Sequence, residues 1–321
     1  MRLRKKLTDD LFHGNFMSFA HNLKLIWNGF PLMLLDRVAP LLSDSTLIKL
    51  KWKLCMDYPL NLDNPKTFNE KIQWLKLHDR KSIYTTMVDK CEAKKYVADI
   101  IGEEYIIPTI AVYDRVEDID FDKLPNQFVM KCTHDSGGLV ICKDKSKLDK
   151  EAALKTLNHF LHRRYYYQNR EWPYKNVKPR IIVEEYMEDE KTKELRDYKF
   201  FCFDGVMKAL FIASDRQAKD EETKFDFFDS EFIHLDIKNG HPNASAPIEK
   251  PETFEEMKKL AEKLSQHIPH LRVDFYEVNG RTYFGELTFS HWSGFVPFEP
   301  REWDEKFGEW IILPDNNKAE C

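Results

Sequence analysis

Residues 271–294 read LRVDFYEVNGRTYFGELTFSHWSG, and this stretch decides the fold. Val273, Phe275 and Val278 alternate with more polar positions, Asn279-Gly280 has the composition of a two-residue hairpin turn, and Tyr283, Phe284 and Leu287 resume the apolar pattern. Two antiparallel strands are expected, with Asp274 on the first and Glu286, twelve positions later, beside it on the second. Facing carboxylates repel unless positive charge lies between them, and a hard divalent cation such as Mg²⁺ is the usual solution where phosphates also bind. The same composition suits a surface hairpin with solvated charges. Arg272 beside the first acid, and the hydroxyls of Thr288 and Ser290 beyond the second, favour a metal–phosphate site.

The rest of the chain sets the scale for such a site. At 321 residues it exceeds one ordinary domain, so two or three lobes are expected, and 42% hydrophobic with 13% aromatic residues can build real cores. A net charge of −5 argues against a protein that coats nucleic acid. Cys55, Cys91, Cys132, Cys142, Cys202 and Cys321 show no CxxC pair and no zinc spacing, which reads as free thiols in a reducing compartment. The early apolar run over 30–35 is too short to span a bilayer and no cleavable signal pattern precedes it, so a cytoplasmic location is expected.

At the N-terminus, Arg2, Arg4, Lys5 and Lys6 precede Phe16, Phe19, Leu23, Ile26, Trp27 and Phe30 at roughly helical spacing. The segment either docks on the core or rests on an anionic surface at the inner face of a membrane, where polysaccharide-assembly proteins are conceivable neighbours. Thr67 and Glu70 have capping-box spacing and open a helix to His78. A second helix is expected over 88–101, with Lys90 and Lys94 one turn apart on one face.

After Pro108 the pattern turns to strands. Residues 127–132 form an apolar strand carrying Lys131 near its end, and THDSGG (133–138) is a tight loop before a strand over 139–142. A lysine facing a Ser-Gly-Gly turn, Ser136-Gly137-Gly138, offers a point charge and approachable backbone N–H groups to a triphosphate, although a plain hairpin turn reads the same way. A helix over 149–164 leads into a basic and aromatic segment over 163–175, read as a lid, an acceptor surface or a packed connector. IIVEEYM (181–187) is a strand whose exit, Glu184, Glu185, Tyr186 and Met187, can offer its backbone to an adenine edge, with Ile182 and Met187 as apolar walls. A further hairpin turns at Asp204-Gly205, with Asp197, Lys199 and Arg216 at its open end. Residues 225–247 read as a long loop, and 251–267 as an amphipathic helix capped by Thr253 with Glu256.

In this order the parts resemble the ATP-grasp superfamily. More narrowly, NPKTFNEKIQWLKLHDR, the Asp89-Lys90 helix, KPRIIVEEYM and RVDFYEVNGRTYFGELTF are similar to the TupA-like ATP-grasp family of teichuronopeptide and capsular polysaccharide synthesis. The resemblance spans roughly residues 49–313. It implies an α+β fold with two α+β lobes clamping ATP behind an N-terminal helical region, divided as 1–88, 89–186 with the glycine loop, and 187–321 with the metal site. It also implies an ATP-dependent carboxylate–amine ligase. Lys90 and Lys131 would hold phosphates under the 136–138 loop, Glu184 to Met187 would meet the adenine, and Asp197 and Lys199 would complete the nucleotide site. Lys131, Arg272, Lys199 and Arg216 would supply catalytic positive charge. Asp274 and Glu286 would be the Mg²⁺ ligands, with Thr288 standing where many relatives carry Asn.

The substrates implied are an amino acid or similar amine and a carboxylate-bearing sugar, plausibly a uronic acid of a glycan. Alternatives are a glycosyltransferase, for which DFFD (226–229) is not the usual DxD cluster, an ATP-grasp kinase acting on its glycan, and a membrane-docked scaffold.

Overall fold

The computed structural model describes residues 29–191, 195–214 and 222–315. The basic tip, the aromatic positions from Phe16 to Trp27, Arg216 and Cys321 lie outside the described residues. The first elements among the described residues are α1 (29–38), α2 (Asp44–Cys55), α3 (Phe68–His78), α4 (Ile83–Val88) and α5 (Glu92–Ile101). A smaller lobe follows, with β1 (Thr109–Tyr113), β2 (Phe128–Cys132), β3 (Leu139–Cys142), α6 (Lys150–Leu161), α7 (Tyr165–Asn169) and β4 (Ile181–Glu185). The larger lobe carries β5 (Asp197–Phe203), β6 (Val206–Ser214), β7 (Lys224–Asp229), β8 (His234–Leu235), α8 (Phe254–Leu264), β9 (Leu271–Val278), β10 (Arg281–Thr288) and α9 (Glu302–Trp310).

Two antiparallel sheets organise this α+β chain: a four-stranded one ordered β1-β4-β2-β3 and a six-stranded one ordered β10-β9-β5-β6-β7-β8. The six-stranded sheet is buried on both faces, so β5 is buried throughout, and from Phe200 to Phe203 it is apolar rather than alternating with solvent-facing residues. Tyr198, Phe200 and Cys202 join Val97, Phe254, Leu271 and Phe275 on one face, under α5 and α8. Phe201 and Phe203 meet Phe68, Phe298 and Phe307 on the other, under α3 and α9. The small sheet packs Phe128, Met130, Ile181 and Val183 against Leu157 and Leu161 of α6. Helix α5 thus seals the larger sheet, which draws its core from chain on both sides of residue 89.

Both hairpin turns form as the dipeptides foretell. Asp204 and Gly205 have φ of 46° and 80°, Asn279 and Gly280 of 52° and 72°, the left-handed pair that matches strand twist. The Thr67–Glu70 capping box is closed in both directions at the start of α3.

Elsewhere the structure corrects the sequence reading. The expected helix over 88–101 is broken: α4 ends at Val88 and α5 starts at Glu92, because Asp89 accepts the Cys91 N–H at 2.9 Å and the Lys90 N–H bonds to Thr133 O at 3.2 Å. Thr253 does not cap α8; its N–H and hydroxyl both donate to Glu277 at 2.7 Å, while Glu256 accepts from Thr282. Residues 224–229, inside the expected long loop, form β7, whose Phe225, Phe227 and Phe228 are buried. The 163–175 segment is a packed connector rather than a lid. Arg170 is 1% exposed and bonds to Ala39 O, Leu42 O and Asp44, and Tyr166 is buried beside it.

Candidate active site

Strand register builds the site. Lys199 on β5 pairs with Asp274 on β9, and Asp274 pairs with Glu286 on β10, so three charged side chains stand in one row across three strands. A regular β10 could not do this. Phe284 and Leu287 both enter the core, an odd spacing, and the register shifts between Phe284 and Glu286. Gly285 is the extra residue of this bulge, which turns Glu286 to the face of Asp274 while Phe284 stays with Phe275. A Cβ at 285 would lie 3.0 Å from Asp274 O and 3.2 Å from Tyr276.

Asp274 is fully buried, and its carboxylate is held by Arg272 (Nε to Oδ1 2.7 Å, Nη2 to Oδ2 2.8 Å) and by Lys199. The same Arg272 Nη2 reaches Glu286 at 3.1 Å and Thr288 Oγ1 at 3.0 Å. Burial pushes the Glu286 carboxyl up, but Lys199, Lys90 and Arg272 outweigh it and hold the group at about 2.

Across from this row, a cavity of about 480 Å³ opens between the two sheets. It gathers Lys90, Lys131, Ser136, Gly137, Gly138, Glu184, Glu185, Tyr186, Met187, Asp197, Lys199 and Glu286 on one wall system, residues spread over nearly two hundred positions. Ile107, Val129, Leu139, Ile141 and Leu195 supply apolar surface near the strand exit. Ile182, expected there, is instead fully buried and does not line the space. Asp274, Arg272 and Thr288 form the layer behind Glu286, and Arg216 lies outside the described residues.

Lys131 Nζ lies 2.7 Å from Glu184, whose other oxygen pairs with Lys94. Burial opposes ionisation of Glu184, yet the two lysines hold its carboxyl below the usual range. Lys90 Nζ donates to Asp135 O at 2.7 Å, tying the glycine loop to the chain before α5. Gly138 is needed there because a Cβ would come within 2.7 Å of Cys132 Sγ and of Phe160. Cys132 also borders the cavity, but burial pushes its thiol up to about 12, which keeps it protonated near neutral pH.

The donor set suits a hard cation. Glu286 is ionised, about a third exposed and on the cavity wall, whereas Asp274, expected as a second ligand, is fully buried with both oxygens on Arg272 and Lys199; Mg²⁺ can take a single carboxylate while completing its shell with water and phosphate oxygens. Among the described residues no cluster of three or more His, Cys, Asp or Glu forms a closed cage. Thr288 spends its hydroxyl on Arg272. The Asp226 carboxylate, on β7, accepts the Ala244 N–H and faces His234, so DFFD supplies no second metal site.

Residues that sequence reasoning passed over complete the arrangement. Lys94 holds Glu184, Arg180 joins Asp89 to Glu92 at 2.8 Å each, and His291 contacts Arg272. Lys94 had only its helical spacing to Lys90 as a signal, and His291 only its place one position after Ser290.

A family model described as TupA-like ATPgrasp matches residues 70–312. No curated protein matches the chain. Solved structures similar to it include D-alanine–D-alanine ligase from Bacillus anthracis complexed with ATP (19% identity, 64% of this chain and 55% of that chain, TM-score 0.39). Others are D-alanine–D-alanine ligase from Helicobacter pylori (13%, 77% and 69%, TM-score 0.41) and the D-cycloserine synthetase DcsG (16%, 70% and 69%, TM-score 0.39). The matched part spans little more than half the length of the Bacillus anthracis ligase.

Proposed function

Because this chain belongs to the TupA-like ATP-grasp family, we propose that it is an ATP-dependent ligase that joins a carboxylate to an amine through an acyl phosphate. The carboxylate is that of a uronic acid on a surface polysaccharide or its precursor, and the amine is an amino acid or a similar compound. The observation that carries this reading is the convergence of Lys90, Lys131 and Lys199 on one cavity that has no activated cysteine. A site rich in fixed positive charge and lacking a protein nucleophile suits chemistry in which ATP does the activating.

In this reading Lys90 and Lys131 hold the phosphates of ATP, backbone N–H groups of 136–138 cover them, and the 184–187 exit meets the adenine. A substrate carboxylate oxygen attacks the γ-phosphorus and ADP leaves, giving an acyl phosphate. The amine nitrogen then attacks the carbonyl carbon, loses its proton, and inorganic phosphate departs with the C–O bonding pair. Lys199 places positive charge where oxygen anions develop, and Arg272, in the layer behind, holds the Asp274 and Glu286 carboxylates of that row in direction. Glu286, with Asp274 behind it, would hold Mg²⁺, which when bound neutralises phosphate charge.

The test is product analysis. Wild-type protein releases ADP and inorganic phosphate only when a uronic acid and an amine are both present, and Lys131→Ala abolishes the release. AMP with pyrophosphate, consumption of a nucleotide sugar without ATP, or phosphate retained on the glycan contradicts the proposal.

A further inference from the structure

Helix α1 is apolar on two opposite sides. Leu32, Leu35, Ala39 and Leu42 turn inward onto the clusters around Trp52 and Leu47. Phe30, Met33, Leu34, Val38 and Leu41, spaced 3, 1, 4 and 3 positions apart, turn outward and are 70%, 48%, 51%, 37% and 86% exposed. Scattered single exposed hydrophobes need no explanation, but five large ones on one stripe form a patch that water penalises.

Among the described residues, the unpaired charge on α1 and α2 has one sign. Arg37 lies within the stripe, and Lys49 and Lys53 are exposed on neighbouring α2; among the described residues none of the three has an ion-pair partner. The nearby acids are spent inward: Asp36 on Lys51 at 2.8 Å, and Asp44 on Arg80 and Arg170 at 2.7 and 3.0 Å. The sequence shows the same asymmetry, since the first 58 residues carry nine Lys or Arg against five Asp and no Glu, in a chain whose net charge is −5. Upstream in the sequence, Trp27, Leu23, Phe19 and Phe16 stand three or four positions apart. No helix among the described residues is long and apolar enough to cross a membrane.

We propose that the outward face of α1, with Arg37, Lys49 and Lys53, docks on an anionic lipid surface, the apolar side chains entering the headgroup boundary while the cations meet lipid phosphates. Apolar area and charge act together in this mode, so binding depends on both lipid charge and salt. It goes beyond the ligase reading, because it concerns a face separate from the cavity and would hold for any chemistry there.

Co-sedimentation of the full chain with phosphatidylcholine vesicles containing about 30% phosphatidylglycerol tests it. Wild type partitions onto these vesicles at least tenfold more strongly than onto pure phosphatidylcholine, and the preference collapses in high salt. Leu34→Glu with Leu41→Glu, and separately Arg37→Glu with Lys49→Glu and Lys53→Glu, each cut the partition at least tenfold while circular dichroism stays that of wild type. Absence of binding by wild type overturns the proposal, as does binding that the variants leave unchanged. A concentration-dependent dimer that Leu34→Glu with Leu41→Glu dissolves, without vesicle binding by wild type, also overturns it, because the patch then meets a second copy.

Discussion

Arg272 Nη1 donates to His291 Nδ1 at 2.8 Å, and both groups are buried. The other ring nitrogen of His291 meets Asn239 Oδ1 at 2.8 Å, and the Asn239 amide is anchored on the carbonyls of Val296 and Pro297. An acceptor at Nδ1 requires a neutral ring protonated at Nε2, and burial together with Arg272 holds the His291 pKa well below its usual value. The guanidinium that spans Asp274, Glu286 and Thr288 is thereby clamped from behind.

His291→Ala should therefore act on turnover. Losing the acceptor leaves a buried N–H unpaired, a penalty of about 1–3 kcal/mol, and frees the guanidinium to rotate. The expected result is a fall in kcat of roughly tenfold to a hundredfold with little change in KM for ATP. His291→Gln, which retains an accepting oxygen, should recover part of the loss. Equal effects of both variants on KM alone would refute the clamp.

Gly285 offers a test of the bulge. Deleting it would leave Phe284 opposite Phe275 and Glu286, now directly after it, opposite Asp274 in a regular ladder, because side chains alternate with period two. The deletion variant should therefore fold, and loss of the wild-type circular dichroism would show that the bulge sets more than the register. Gly285→Ala acts through contact instead: its Cβ presses on Asp274 O, and overpacking of this kind costs about 1–3 kcal/mol. A thermal melt showing Gly285→Ala as stable as wild type would remove the argument for close approach.

How much of this was legible follows from the range of each signal. The hairpin of 271–288, the capping box at Thr67 and the strand over 139–142 are written in adjacent residues, and each formed where expected. Lys90, Lys131, Ser136 and Glu184 to Met187 were singled out by local type and by resemblance, and the fold brings them around one cavity. What local sequence could not carry was competition from distant partners. Glu277 takes Thr253 from its cap, Thr133 holds Lys90 outside α5, and Ala39, Leu42 and Asp44 draw Arg170 into the core. The bulge was also illegible, although Gly285 between two core positions of odd spacing was the available clue.

Lys131 and Lys94 share Glu184 but should not be equivalent. Lys131 lines the cavity and would meet phosphate directly, whereas Lys94 reaches Glu184 and Ile107 O. Lys131→Met should weaken ATP binding by about 1.5–3 kcal/mol, roughly tenfold to more than a hundredfold in Kd by calorimetry. Lys94→Met should weaken it less and lower the melting temperature more, since Lys94 is the more buried of the two cations on Glu184 and also donates to Ile107 O and Thr109 Oγ1. The reverse ranking would show Lys94 to be the phosphate ligand.

Acid should destabilise the fold through His270. Its ring stacks on Phe201 at 5.8 Å between centroids, its Nδ1–H donates to Cys202 O at 3.1 Å, and its Nε2 is buried without a partner. Burial lowers its pKa from 6.5 to about 3. A base depressed in this way binds its proton more readily in the unfolded chain, so its contribution is intact above about 6.5 and is lost progressively as pH falls toward 3. Between those limits one such group costs about 1.4 kcal/mol per pH unit, or roughly 2 kcal/mol at pH 5. His270→Phe keeps the aromatic packing and removes the titration. Urea unfolding at pH 7.5 and pH 5 should therefore show a smaller acid loss in the variant, by about 2 kcal/mol, even if the variant is less stable at the higher pH. Parallel losses in the two proteins would mean that His270 takes up its proton without unfolding.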